Sequence, residues 1–140
     1  MTPFSISSEL QRPEDRGEGL KHKSILVVED DHDTRVALRE VLENEDYIVV
    51  TATNGRMALE ILKNFRPSLI LLDIMMPIMD GFDFLAWVGK NASLRSIPVV
   101  TVSAHVLAAK LPEGVVFIKK PLEIDTVLKT VSGLLSYRTA

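Results

Sequence analysis

From Ser24 onward, short aliphatic runs alternate with stretches in which apolar residues recur every three or four positions. The runs Ile25-Leu26-Val27-Val28, Tyr47-Ile48-Val49-Val50, Leu69-Ile70-Leu71-Leu72, Val99 to Val102 and Val115 to Ile118 are rich in β-branched residues and predict five strands. Thr34, Leu38, Val41 and Leu42 share one helical face, Ala58, Leu59 and Leu62 a second, and Phe82, Leu85 and Ala86 a third. The last helix has the clearest period, with Ile124, Val127, Leu128, Val131, Leu134 and Leu135 at spacings of three and four. A strand of four consecutive aliphatic residues, such as Leu69 to Leu72, is covered on both faces, as in a parallel sheet.

This strand-helix alternation predicts an α/β fold whose parallel strands are joined by right-handed crossovers. Five strands in the order 2-1-3-4-5 would be the flavodoxin-like, doubly wound arrangement. The connection from Ser103 to Gly114 is near the ~10–12 residue minimum for a crossover. Pro112 and Gly114 end any helix there early, so a shortened fourth crossover helix of about two turns, or an irregular loop, is expected between Ala104 and Leu111. Residues 1–22 mix Ser, Pro, Glu, Arg and Gly without an apolar period and predict a flexible N-terminal tail, in which Phe4 and Ile6 could form a docking peptide. The expected organisation is this tail, a domain over 23–136, and a C-terminal tail over 137–140.

Composition narrows the function. With 140 residues and 46% hydrophobic content the chain can bury one core. A formal net charge of −3, without a basic cluster interleaved with aromatics, argues against direct nucleic-acid binding. The absence of cysteine removes disulfides, thiol nucleophiles and Cys-ligated zinc. Apolar runs fall far short of the ~20 residues that span a bilayer, and the N-terminus has no signal-peptide pattern. The expectation is a soluble, cytoplasmic protein with no membrane association.

The candidate chemistry lies at strand ends. Glu29-Asp30-Asp31-His32-Asp33 follows the first strand and Asp73 the third. In the order 2-1-3-4-5 these strands are neighbours, and their carboxyl ends flank the topological switch point where ligands bind. Two carboxylates ~4 Å apart repel by about 4 kcal/mol at an effective dielectric of ~20. A hard divalent cation such as Mg²⁺ would relieve that repulsion. Asp31 or Asp33 suits helix capping, which leaves Glu29 and Asp30 for an ion. Asp73 alone could equally be a turn-forming carboxylate. Ser103 after the fourth strand and Lys120 after the fifth add a hydroxyl and an ammonium, which together with the acids suit a phosphoryl group.

With these residues in view, the chain resembles the receiver domain of two-component response regulators. The similarity rests on Ile25-Leu26-Val27-Val28-Glu29-Asp30-Asp31, Asn54-Gly55-Arg56-Met57-Ala58-Leu59, the stretch Leu71 to Gly81 with Asp73-Ile74-Met75-Met76-Pro77 at its centre, Ile97 to Ala104, and Lys120-Pro121. It covers roughly Lys23 to Ser136. The resemblance implies that Asp73 is the phosphoacceptor, that Glu29, Asp30, Asp73 and the main-chain carbonyl of Met75 hold Mg²⁺, and that Ser103 and Lys120 contact the phosphoryl group. It implies a cis Lys120-Pro121 peptide, with Lys119 turned away from the site by strand alternation. Ser103 and Phe117 resemble the family's switch pair, although Phe117 could be ordinary core packing. Met75 and His105 occupy the positions that tune loss of the phosphoryl group, and bulky Met75 should hinder water.

The implied partners are a histidine kinase or histidine phosphotransfer protein and a downstream target, with the chain a monomer or weak homodimer. The implied role is a stand-alone, chemotaxis-regulator-like switch rather than an ordinary enzyme. The segment from Ser103 to Lys120 is several residues shorter than the family pattern, which points to altered output. A haloacid-dehalogenase-type phosphatase would need a second Asp where Met75 stands. A flavodoxin-like electron carrier would need a phosphate-binding loop where Glu29-Asp30-Asp31 would repel phosphate. The remaining alternative is a receiver-like interaction module that signals without phosphorylation.

Overall fold

The computed structural model describes residues 23–75, 78–104 and 111–139. In chain order the elements are β1 (Ser24–Val28), α1 (His32–Glu43), β2 (Ile48–Ala52), α2 (Gly55–Leu62), β3 (Leu69–Asp73), α3 (Gly81–Lys90), β4 (Val99–Ser103), β5 (Val116–Lys119) and α4 (Ile124–Thr139). The strands form one sheet in the order β2-β1-β3-β4-β5, with every pair parallel. This is the architecture that the strand-helix alternation predicts.

The sheet separates two apolar layers because successive strand residues point to opposite faces. Leu26, Val28, Ile70 and Leu72 pack with Ala58 and Leu62 of α2 and Phe84, Leu85 and Val88 of α3. Ile25, Val27, Leu69 and Leu71 pack with Leu38 and Leu42 of α1 and Val127, Val131 and Leu135 of α4. All five residues of β3 are buried, the pattern of a central strand covered on both sides.

Helix starts are set by local chemistry. Asp31 caps α1, Asn54 caps α2 and Asp80 caps α3, each accepting from a main-chain amide three residues on. Gly81 opens α3 where a Cβ would lie 2.6 Å from Ile74 Cα, so only glycine lets the helix start this close to the end of β3. The Gly81 amide donates to the Ile74 carbonyl at 2.8 Å and joins the two segments.

Some details depart from the sequence pattern. On α3 the buried stripe is Gly81, Phe84, Leu85 and Val88, whereas Ala86 is exposed, because three apolar residues are too few to orient a helix rich in them throughout. Ile124 is 54% exposed at the first position of α4, whose buried residues begin one turn later at Val127. Strand β2 starts at Ile48, because the Tyr47 amide donates to the Leu42 carbonyl and still closes the turn from α1. Helix α4 runs through Thr139. The crossover between β4 and β5 spans residues 104–115, and the shortened helix expected there falls largely on 105–110, outside the described residues, as does the N-terminal tail.

Candidate functional site

Pairing of Val28 with Leu72 brings the carboxyl ends of β1 and β3 side by side, so the next residues in each chain, Glu29 and Asp73, meet at one edge. One carboxylate oxygen from each of Glu29, Asp30 and Asp73 lies within 4.8 Å of the others. Glu29 and Asp73 are buried and Asp30 is exposed, so the cluster opens to solvent on one side.

Lys120, just past the carboxyl end of β5, reaches this cluster along the same edge of the sheet. Its Nζ lies 3.4 Å from Glu29 Oε1 and 3.5 Å from Asp73 Oδ2. The Lys120 amide donates to the Ser103 carbonyl at 2.8 Å, tying the end of β5 to the end of β4. The Lys120-Pro121 peptide is cis. Lys119, paired with Ser103 in the strand register, is exposed and takes no part. The second oxygen of each buried carboxylate is held locally: Glu29 Oε2 accepts from the Asp31 amide at 3.1 Å and Asp73 Oδ1 from the Met75 amide at 3.1 Å.

These neighbours shape the protonation of the site. Burial, reinforced by the Asp73 charge and opposed by the Asp31 amide and Lys120, pushes Glu29 up to about 7. Burial also raises Asp73, against the lowering pull of Lys120. Burial alone would lower the Lys120 ammonium, but Glu29 and Asp73 outweigh it and hold the pKa above the usual lysine value. Glu29 and Asp73 thus share the Lys120 ammonium, and Asp30 adds a third carboxylate to the cluster. A hard cation is the complement of that imbalance, and the all-oxygen donor set fits Mg²⁺ rather than a softer metal.

The other sequence candidates fall around this centre. Ser103 is buried at the end of β4, next to Val102, which pairs with Asp73. Met75 is 55% exposed at the mouth of the site. Phe117 is half-buried and pairs with Thr101 on β4. His105 lies outside the described residues. Asp31 is the capping acid, accepting from the amide and hydroxyl of Thr34 at 2.9 and 2.7 Å, and those bonds lower its pKa; Asp33 lies in the first turn of the helix.

Two contributors were not singled out from the sequence. Arg35 Nη1 donates to the carbonyls of Glu29 and Asp30 at 3.0 and 3.2 Å. The sequence carries no signal for it, since its partners here are main-chain carbonyls rather than identifiable side chains. Buried Thr101 donates through Oγ1 to the Val116 carbonyl at 2.9 Å, bridging β4 and β5 beside Phe117.

The family model for the response regulator receiver domain matches residues 25–132. The polar-differentiation response regulator DivK of Brucella anthropi is 30% identical over 118 residues, which cover 81% of this chain and 96% of DivK. Among solved structures, the receiver domain of a signal transduction histidine kinase from Syntrophus aciditrophicus superposes with a TM-score of 0.76 at 34% identity, covering 81% of this chain and 90% of that one. The chemotaxis response regulator CheY4 of Vibrio cholerae gives 0.75 at 28% identity, covering 81% and 98%. No helix among the described residues is long and apolar enough to cross a membrane.

Proposed function

Because the chain belongs to the response regulator receiver domains, we propose that it is a phosphorylation switch in which Asp73 accepts a phosphoryl group from the phosphohistidine of a histidine kinase or phosphotransfer protein. The observation that carries this reading is the placement of the Lys120 ammonium within 3.5 Å of both buried carboxylates, Glu29 and Asp73, at the carboxyl edge of the sheet. Lys120 favours the ionised, nucleophilic form of Asp73 against the burial that opposes it.

In the reaction an Asp73 carboxylate oxygen attacks phosphorus, the O–P bond of an acyl phosphate forms, and the N–P bond to the imidazole breaks, its electron pair staying on nitrogen. Lys120 offsets negative charge on the carboxylate and the incoming phosphoryl oxygens, and the Ser103 hydroxyl serves as a hydrogen-bond donor to one of them. Glu29, Asp30 and Asp73, with the Met75 main-chain carbonyl, would hold Mg²⁺. When bound, that ion supplies the positive charge that the acid cluster lacks and that phosphoryl transfer requires. Phosphorylation draws on Ser103 and lets Phe117 change position, which passes the signal to a downstream protein. The exposed Met75 side chain at the mouth hinders water, so the acyl phosphate is persistent, with His105 a second tuning position.

Incubation with Mg²⁺ and acetyl phosphate, followed by intact-mass measurement, tests the switch. A gain of one phosphoryl group that disappears in Asp73→Asn is expected; no gain favours a receiver-like module that signals without phosphorylation.

A further inference from the structure

We propose, on the premise that this site takes Mg²⁺, that Arg35 is a positioning residue for the ion: it braces the turn between β1 and α1 through main-chain carbonyls, so that the carboxylates of Glu29 and Asp30 stay directed into the cluster. Regular sheet pairing of β1 ends at Val28, and the Glu29 amide continues it by one bond, donating to the Ala52 carbonyl at 3.0 Å. The carbonyls of Glu29 and Asp30 lie in the turn and carry the two carboxylates on either side of one peptide. Both accept from Arg35 Nη1, at 3.0 and 3.2 Å.

The brace has a firm base. Arg35 sits on α1 with its amide donating to the carbonyl of the capping Asp31 at 2.9 Å. Its Nη2 lies 3.2 Å from His32 Nδ1. A guanidinium can only donate, so Nδ1 is the acceptor in this pairing. Contacts from two nitrogens of one planar fork fix the plane of the group, which a single ammonium could not do. Because the carbonyl oxygens of Glu29 and Asp30 face Arg35, these two residues offer the ion their carboxylates.

The sign of the effect separates positioning from charge. Arg35 brings a positive charge close to a cation site, so by Coulomb's law alone its removal tightens Mg²⁺ binding. Loss of the brace weakens it, since partners that orient metal ligands typically contribute about 10–100-fold to metal affinity.

The experiment measures the Mg²⁺ dissociation constant by calorimetry for the full chain, Arg35→Gln and Arg35→Lys, with the metal-free melting temperature of each. We expect Arg35→Gln to bind Mg²⁺ about 10-fold or more weakly, and Arg35→Lys, which keeps the charge and loses the fork, to show a smaller loss of the same sign. Unchanged or tighter binding by Arg35→Gln overturns the proposal, including when its melting temperature falls, because the residue then supports the fold alone. If Arg35→Gln does not fold, Arg35→Lys decides: weaker binding supports the brace and equal binding overturns it. An unaltered chain that takes up no Mg²⁺ strikes the premise itself, and the brace falls with it.

Discussion

Strands β3 and β5 both end at the site, yet they are built differently. Every residue of β3 is buried, it pairs on both sides, and it leads into a turn fixed by the Gly81 amide and the Asp73–Met75 bond. Strand β5 is an edge: Val116 and Phe117 are half-buried, Lys119 is exposed, and only Ile118 is buried. The proposed phosphoacceptor Asp73 therefore stands on the fully buried part of the sheet, while the candidate switch residue Phe117 stands where packing is thinner. Such a division suits a module that must hold a nucleophile still and let a reporter move. Regions that change conformation are drawn from the less stable parts of a fold.

Truncation should expose the contrast most strongly. Leu71→Ala is expected to cost about 2–5 kcal/mol, measured by denaturant unfolding, because Leu71 packs against the α1 and α4 side of the core. Phe117→Ala should cost clearly less than the ~3–5 kcal/mol of a fully buried aromatic. Equal losses at the two positions would remove the distinction between the strands.

A pH test reads the buried acid that stands beside the end of β3. Glu29 is raised to about 7, so between the ordinary carboxylate range and that value the folded, metal-free chain retains a proton that the unfolded chain has released. Stability should thus fall as pH rises from about 4.5 to about 7 and level off above, by at most about 3 kcal/mol from this group. Melting temperatures in a chelator at pH 5.5 and 8 should show the slope, Glu29→Gln should flatten it, and saturating Mg²⁺ should offset it by favouring the ionised carboxylates. A slope that survives Glu29→Gln would assign it elsewhere.

The smallest effect concerns the thin edge. Thr101→Val removes the side-chain bond to the Val116 carbonyl while preserving shape, and should cost about 1 kcal/mol. Its more telling consequence is faster hydrogen exchange confined to β5, because that bond ties the edge strand to β4. Unchanged exchange in β5 would deny Thr101 this part.

The same contrast separates what was legible in the sequence from what was not. Unbroken aliphatic runs such as Leu69 to Leu72 mark buried parallel strands, and acids at their carboxyl ends converge once the strand order is known, so Glu29, Asp30, Asp73 and Lys120 could be brought together from the pattern alone. Arg35 could not, because a basic residue on an amphipathic helix looks like part of a solvated face, and its bonds run to main-chain carbonyls that carry no residue signature. The close approach behind Gly81 depends on where α3 meets Ile74, a tertiary fact. Ala86 and Ile124 were misplaced because a short apolar period leaves a helix's orientation open by a residue. Strand alternation, which depends on backbone geometry alone, accounts for Lys119 being exposed while Lys120 lies beside Glu29 and Asp73.

The account turns on Asp73 as the phosphoacceptor, and chemical trapping tests that most directly. An aspartyl phosphate is reduced by borohydride to homoserine, so the chain is phosphorylated with acetyl phosphate and Mg²⁺, reduced, digested and mapped by mass spectrometry. Conversion at position 73, lost when Mg²⁺ is withheld, is the predicted result. Conversion at another carboxylate, or none in a chain that binds Mg²⁺, would contradict it.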